Sequence, residues 1–278
     1  MSGRGGVSRG CAAVVWVVLA GVVGAAAWVY LSLRPEPQPD VAKAARSAAA
    51  RAADQEVTAE SDRGLDRLRA ALPWATYLGT TVADVCGTEP VNHGFALTRR
   101  TWTEVACSRT TTVYEAFDGD FQQRLGQLDA ALAAAGWRPS DPPYYLGEQG
   151  GLVGALAYAH NPGDGAGPSE AAAAAARPNV ALVRYTVPVG SGSVTPAGSG
   201  TAVLPGGAVQ VAQAPYLPTL DDGTAAHDRV LKSPSSTTSY YVDWQQYDRA
   251  RLSAAYPAHA AVLALSLRVG YRTGPARP

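Results

Sequence analysis

The chain has 278 residues, of which 17% are charged, and its 23 acidic side chains balance its 23 Lys and Arg side chains. This length holds one or two modest domains, and a zero net charge gives no overall field that would attract nucleic acid or acidic substrates. We therefore expect no nucleic-acid partner. Ala and Gly dominate while Ile is absent, which indicates the codon bias of a GC-rich genome.

An uncharged run occupies residues 11–33. A helix of this length, at about 1.5 Å per residue, spans about 34 Å, which exceeds the hydrocarbon core of about 30 Å. The run predicts a transmembrane helix that binds the lipid bilayer, after a cytoplasmic tail over residues 1–10. A cleaved signal peptide and a buried core helix are the alternatives. Small residues at 25–27 suit a cleavage site, but the apolar run continues to Leu33.

The charges on either side of this run do not establish on which side of the membrane the N-terminus lies. Arg4 and Arg9 precede the run, whereas four basic residues follow it at positions 34, 43, 46 and 51. Long C-terminal domains translocate largely regardless of such charges, and a short tail with two arginines is typical of a cytoplasmic N-terminus. We therefore predict a single-pass protein of the cell membrane whose C-terminal domain is extracytoplasmic.

Residues 34–72 predict a proline spacer followed by a helical stalk. The sequence RPEPQP alternates proline and favours an extended chain, after which Asp40 suits a helix N-cap and Pro73 ends the segment. Three leucines at spacings of three and four would dock the end of the stalk onto the next domain: Leu65, Leu68 and Leu72. A coiled-coil dimer is an alternative, although sustained a and d leucines are missing. The oligomeric state stays open.

The chain has three cysteines, at positions 11, 86 and 107. Cys11 precedes the apolar run, so it does not fit a lipoprotein cleavage site. Cys86 and Cys107 have no second CxxC pair and no nearby His cluster that would suggest zinc. We predict a disulfide between Cys86 and Cys107 if the domain is exported. Two buried thiols in a cytoplasmic domain are the alternative.

A globular α+β domain is predicted over residues 73–272. Segments 77–86 and 101–117 are rich in Thr, Val and aromatic residues, as is typical of strands. Asp120 then suits an N-cap, and Gly136 suits the end of the helix. The apolar face of this helix recurs at spacings of four, three and four: Phe121, Leu125, Leu128 and Leu132. Asp118, Gly119 and Asp120 invite a calcium interpretation, but EF-hand ligands do not follow, which favours a turn and cap.

The remainder of the domain is less regular. We predict strands at 144–146, 152–158 and 179–187, flexible insertions near 160–178 and 190–200, a turn at 205–207, a strand at 239–242, a helix at 244–256 capped by Asp243, a half-buried strand at 263–271, and a disordered tail at 273–278. Strand, helix and strand thus occur twice. This favours a two-layer sandwich with both helices on one face of a mainly antiparallel sheet.

The sequence contains no recognisable catalytic or cofactor-binding motif. It contains no GxSxG, no P-loop and no dinucleotide fingerprint, and the histidines are scattered: His93, His160, His227 and His259. Asp221 and Asp222 are typical of a solvated turn. An aromatic cluster favours core packing, with a sugar or peptide groove as the alternative: Tyr240, Tyr241, Trp244 and Tyr247. We predict no catalytic, cofactor or metal site, which leaves Cys86 and Cys107 as the predicted site residues.

The segments LGTTVADVC and YEAFDGDFQQRLGQLDAALAAAGW, behind a single N-terminal anchor, resemble uncharacterised membrane-anchored envelope proteins of actinobacteria. The resemblance covers mainly residues 73–137. It implies an exported domain held by a disulfide, and it brings no activity with it.

Three functional hypotheses remain. The first is a non-enzymatic, membrane-tethered extracytoplasmic domain that binds an envelope component or a partner protein. The second is a hydrolase or transferase that acts on the cell wall through residues distant in sequence. The third is a structural subunit of a membrane complex.

Overall fold

The computed structural model describes residues 16, 20–28, 30, 34, 36–91, 101–141, 150–161, 163–164, 166–188, 206–218, 226–232, 239–244 and 249–272. The helices are α1 (Val41–Ala45), α2 (Ala48–Ala70), α3 (Phe121–Ala134), α4 (Gly151–Ala159), α5 (Pro168–Ala175) and α6 (Arg249–Ala255). The strands are β1 (Ala75–Thr88), β2 (Pro90–Val91), β3 (Thr101–Trp102), β4 (Ala106–Phe117), β5 (Arg138–Pro139), β6 (Val180–Thr186), β7 (Gly206–Gln213), β8 (Ala226–Lys232), β9 (Ser239–Trp244) and β10 (Ala261–Arg272).

One eight-stranded sheet organises the domain, in the order β5-β6-β7-β10-β4-β1-β9-β8. Every neighbouring pair is antiparallel, which confirms the predicted α+β class and antiparallel sheet. β10 lies at the centre, between β7 and β4. Both of its faces are buried, because Leu263 and Leu265 face one core cluster while Val262 and Ala264 face another. The prediction of a half-buried strand is therefore wrong for β10.

Helices cover both faces of the sheet. The front face, which carries Cys86, Val113 and Leu265, is covered by α1, α2, α3 and α4. The back face carries Tyr114, Ala116, Val262 and Ala264, and α6 packs Leu252 and Ala255 against these four residues. The predicted two-layer arrangement is wrong in this respect. Along this part of β4 and β10 the back-facing residues are mainly apolar, so the back of the sheet also offers an apolar surface to a helix.

The predicted stalk is part of the domain. Besides the three predicted leucines, α1 and α2 bury a row of small or β-branched residues: Val41, Ala50, Val57 and Ser61. α2 contacts β10 and β4 along its length, while α1 contacts β1 and β9. Ala50 and Ser61 do not form a stripe of large apolar residues in the sequence, but their small side chains let the helix lie close to the sheet. The domain therefore begins near residue 40 and not at residue 73.

Helix α3 forms as the sequence predicts. The Asp120 carboxylate accepts a hydrogen bond from the Gln123 amide at 2.7 Å, which satisfies an N–H group of the first turn. At the other end Gly136 has a φ of 83°, and the Trp137 amide donates to the Leu132 carbonyl at 2.9 Å. This is the Schellman arrangement, in which a residue with positive φ closes the helix and returns the next side chain to its last turn.

The predicted strand at 152–158 is instead α4. Gly150 and Gly151 both have positive φ, and the carboxylate of Asp129 accepts hydrogen bonds from the amides of Leu152 (2.8 Å) and Val153 (3.0 Å). This long-range cap begins a helix in a run that is apolar throughout. Such a run fits a buried helix as well as a buried strand, so periodicity alone misassigns it.

Three other boundaries differ from prediction. Gly206 and Gly207 belong to β7 instead of a turn. In the insertion near 160–178, the sequence predicts one turn of helix at Glu170, and the longer helix α5 forms there, with the Gly167 amide donating to Glu170 at 2.9 Å. β9 extends to Trp244, so Asp243 lies in a strand and not at a helix cap, and the described part of the helix is Arg249–Ala255. The predictions for residues 144–146, 190–200 and 273–278 lie outside the described residues.

Part of the uncharged N-terminal run is described. Residues 20–28 are helical, and two of its large side chains are open to solvent, with Trp16 72% and Trp28 71% exposed. This exposure contradicts the alternative of a buried core helix. Among the residues that the structure describes, no helix combines the length and apolar character needed to cross a membrane. The remainder of residues 11–33 lies outside the described part of the chain.

Candidate functional site

A groove of about 330 Å³ separates α2 from α3 on the front face. We call it the front groove, and its lining residues are Glu60, Gly64, Arg67, Ala71, Ala131, Ala134, Ala135, Trp137, Val187, Pro188 and Leu267. Leu267 and Trp137 are buried and form the floor. The two helices supply the walls. The volume lies near the lower end of the range of about 300–1,000 Å³ that is typical of ligand sites.

Small side chains keep the front groove open. Gly64 and Ala71 line it from α2, and the alanines of the last turn of α3 line it from the other side. A Cβ atom added at Gly64 would meet only Leu267, at an ordinary contact distance of 3.7 Å. Leucines at these positions would fill the space between the helices, so the small residues determine the width of the groove.

The groove floor depends on the placement of Trp137. The Schellman arrangement after α3 turns this side chain under the helix, where its ring packs edge-on against Tyr185 with centroids 5.8 Å apart. Gly207 on β7 lies directly beneath the indole, since a Cβ atom there would overlap the ring. A glycine inside a strand often marks such a close approach.

Two opposite charges line the wall that α2 provides. Glu60 and Arg67 are seven residues apart, which is close to two helical turns, so they lie on one side of α2 about 10.5 Å apart along its axis. The Nε atom of Arg67 donates to the Arg63 carbonyl at 3.1 Å, which directs the side chain along the helix. The groove therefore offers an acidic end, a basic end and an apolar floor.

A separate ionic cluster joins α2 to the sheet. The Arg109 Nη1 atom donates to Asp54 on α2 at 2.9 Å and to Asp84 on β1 at 3.1 Å, and the Tyr271 hydroxyl donates to Asp84 at 3.3 Å. Burial, followed by the nearby Asp54 carboxylate, raises the pKa of Asp84 to about 6. These side chains bond to one another across a packed interface, so we assign the cluster a structural role.

A second ion pair lies further along α2. Arg69 donates from Nε to the buried Glu115 carboxylate at 2.9 Å and stacks over the Tyr77 ring, 4.4 Å from its centroid. Burial raises the pKa of Glu115, and the hydrogen bond and charge of Arg69 oppose that shift. Both ion pairs fix α2 on the sheet and thereby set one wall of the front groove.

Cys86 and Cys107 form the predicted disulfide. They are directly opposite each other in the pairing of β1 with β4, and both are buried. Asp84 and Arg109 face each other two residues further along the same strands, on the same face of the sheet. The disulfide therefore joins β1 and β4 near one end of these strands, beside the ionic cluster.

The remaining residues that the sequence singled out do not form one site. The Nδ1 atom of His259 donates a hydrogen bond to the Asp118 carboxylate at 2.9 Å, His160 contacts the Ala174 carbonyl (3.1 Å), and the buried Tyr241 ring lies under Arg46. The Asp118 carboxylate accepts a hydrogen bond from the Ala260 amide at 3.0 Å, and Asp120 caps α3 as the sequence predicts. Strands β8 and β9 contain His227, Tyr240 and Trp244. His93, Asp221, Asp222 and Tyr247 lie outside the described residues.

Within the described part of the chain, no three His, Cys, Asp or Glu side chains are grouped so that they could hold a metal ion. Comparison of the chain with protein-family models, with curated proteins and with solved structures finds no match.

Sequence reasoning missed the front groove because its residues come from four separate segments. One signal was present in the sequence: Gly64 lies within a helix, with Glu60 four residues before it and Arg67 three residues after it on the same side. A glycine retained inside a helix costs about 1 kcal/mol relative to alanine and so indicates a packing or binding reason.

Proposed function

We propose that the chain is a single-pass membrane protein whose folded domain lies outside the cytoplasm and binds a short peptide in the front groove without catalysis. The tether is supported by the uncharged sequence over residues 11–33 and by the exposure of Trp16 and Trp28 in its described part. Apolar side chains left exposed in this way have no partner in the domain core, and a lipid bilayer would cover them.

Export of the domain is supported by the disulfide. Cys86 and Cys107 are bonded to each other and buried in the sheet. Disulfides persist in oxidising compartments and are rare in the cytosol. The N-terminus would then remain cytoplasmic, with the helix as a signal anchor.

The front groove carries the proposal of peptide binding. The Cα atoms of Glu60 and Arg67 lie about 10.5 Å apart along α2, so their long side chains could reach the two ends of an extended tripeptide, which measures about 10 Å from amine to carboxylate. Glu60 would bind the free amine and Arg67 the free carboxylate, while Trp137 and Leu267 contact the small side chains between them. The alanine walls leave space for a peptide backbone and for little more.

The topology is tested on the full-length protein in inverted and right-side-out membrane vesicles. An impermeant thiol reagent, applied to a Cys11→Ser, Asp62→Cys variant in which Asp62 is an exposed position of α2, should label the introduced cysteine only when the extracytoplasmic side of the membrane is accessible. Free Cys86 and Cys107 in membranes isolated under thiol trapping would contradict export.

Peptide binding is tested by isothermal titration calorimetry on the full-length protein in lipid nanodiscs. Tri-alanine with free ends should bind, whereas the same peptide with an acetylated amine and an amidated carboxylate should bind about a hundredfold more weakly, because both charged ends then lack a charge-assisted hydrogen bond worth about tenfold each.

Matched variants locate the site. Glu60→Gln and Arg67→Gln should each weaken tri-alanine about tenfold, whereas Glu56→Gln and Arg63→Gln, exposed on the same helix but outside the groove, should not change the affinity. Gly64→Leu should fill the groove and abolish binding. Equal affinity for the free and the capped peptide would contradict the proposal.

A further inference from the structure

The chain that enters the domain is fixed to the sheet almost as soon as the apolar run ends. The indole Nε1 of Trp102, on β3, donates a hydrogen bond to the Glu36 carbonyl at 3.1 Å. Glu36 is only three residues beyond Leu33, the last apolar residue of the run. Three residues reach at most about 11 Å, even when fully extended.

The short hairpin that carries Trp102 is bonded firmly to the end of the main sheet. The Thr88 hydroxyl donates to the Thr103 carbonyl at 2.7 Å, and the Glu89 amide donates to the Thr103 hydroxyl at 2.9 Å. The Thr103 amide in turn donates to the Glu89 carbonyl at 2.9 Å. Thr88 and Thr103 are buried, so these hydrogen bonds hold Glu36 at a fixed position relative to the sheet.

The chain after Glu36 is also held at the same end. Asp40 caps α1 by accepting a hydrogen bond from the Lys43 amide at 3.0 Å, and Val41 is buried against the sheet. α1 contacts β1 and β9, whose pairing includes Cys86 and Tyr241. Pro37 and Pro39 therefore join two fixed points, Glu36 and Asp40, and do not provide a long free spacer.

We propose that the end of the sheet carrying the disulfide and the β2–β3 hairpin lies against the lipid headgroup layer, with the opposite end directed away from the bilayer. This inference rests on the proposed membrane tether. The distance of about 11 Å between the apolar run and Glu36 is shorter than the width of a small domain, so no gap remains for a stalk. The surface of β2 and β3, including Trp102, then contacts phospholipid headgroups, a zone that tryptophan favours.

The orientation separates the two ends of β1 by a measurable distance. Thr76 and Glu89 are exposed residues near opposite ends of this strand. At about 3.4 Å per residue, they lie about 44 Å apart along the strand. Glu89 belongs to the end proposed to face the bilayer, and Thr76 belongs to the far end.

The test uses the full-length protein with Cys11→Ser, reconstituted into phosphatidylcholine vesicles that carry a spin-label quencher on the headgroup. Glu89→Cys and Thr76→Cys are labelled separately with one fluorophore, after mass mapping confirms that the disulfide between Cys86 and Cys107 is intact. If Glu89→Cys does not fold, Glu104→Cys at the same end replaces it. We expect about threefold stronger quenching at position 89 than at position 76, because about 44 Å of strand separates them.

Flotation of the same vesicles after carbonate extraction separates the two proposals. Protein that floats, with stronger quenching at position 89, supports the orientation. If the protein floats but quenching at position 89 equals or falls below that at position 76, the orientation is overturned and the tether stands. Protein that does not float overturns the tether and the orientation together.

Discussion

Gly207 and Gly126 offer the sharpest test of how the groove floor is built, because the same substitution should have opposite effects at the two positions. A Cβ atom at Gly207 would overlap the Trp137 ring, with even the more distant indole atoms at 2.9 Å. Carbon atoms normally approach to about 3.5–4.0 Å, so the indole would have to move by about 1 Å. At Gly126, exposed on α3, nothing lies within 4 Å of an added Cβ atom.

The expected changes in the free energy of unfolding follow from the packing around Gly207 and Gly126. Gly207→Ala overpacks the core, which costs about 1–3 kcal/mol, and it disturbs the edge contact between Trp137 and Tyr185, which contributes about 0.5–1.5 kcal/mol. We expect the free energy of unfolding to fall by about 2–4 kcal/mol. Gly126→Ala should raise it by about 1 kcal/mol, because alanine is the better helix former.

Urea denaturation of the full-length variants in detergent micelles, followed by near-ultraviolet circular dichroism, measures both values. Trp137→Leu provides a further control: combined with Gly207→Ala it should destabilise less than the sum of the two single changes, since the smaller side chain leaves room for the new methyl group. If Gly207→Ala leaves the free energy of unfolding within about 0.5 kcal/mol of the parent, the proposed close packing under Trp137 is refuted.

Three other predictions concern stability. Replacing both Cys86 and Cys107 with Ala should lower the free energy of unfolding by about 3 kcal/mol in urea, because the bridge closes a loop of about 22 residues in the unfolded chain; an unchanged midpoint would count against this. Asp120→Ala should cost about 1 kcal/mol through loss of the N-cap of α3, whereas Asp62→Ala, exposed within α2, should change the midpoint little. The folded pKa of Asp84, about 6, exceeds its ordinary value of about 3.9, so the folded state holds this proton more tightly and the contribution of Asp84 to stability falls as the pH rises from about 4 to 6. In urea titrations at a series of pH values, the free energy of unfolding of Asp84→Asn should fall less than that of the parent between about pH 4 and 6, by on the order of 2 kcal/mol. If the free energy of unfolding changes with pH in the same way for parent and variant, Asp84 does not titrate in this range.

The sequence predicts most elements whose signals are local. The helix after Asp120 combines a cap, a four-three-four apolar spacing and a closing glycine, and all of these act within one segment. The strands before it and after Pro178 also follow from composition. The disulfide was predictable because only two cysteines follow the apolar run.

The errors arise where distant contacts decide the outcome. The cap of α4 comes from Asp129, more than twenty residues earlier, so no local pattern distinguishes that helix from a strand. α2 lacks a large apolar stripe, yet Ala50 and Ser61 bury against the sheet because their small side chains permit a close approach. The front groove depends on the relative placement of α2, α3 and Trp137, which only the folded sheet determines.

The central position of β10 has a consequence for the order in which the chain can fold. β10 separates β7 from β4, so the strands β5, β6 and β7 share no edge with β4, β1, β9 and β8 until residues 261–272 are in place. β4 must wait for its second partner, which lies more than 140 residues later in the chain, and such non-local pairing is slow. During synthesis the two halves of the sheet therefore remain with unpaired edges until nearly all of the described chain has emerged. A truncation before residue 261 should leave these edges open to aggregation, which makes the interval before completion the period when a chaperone would be needed most.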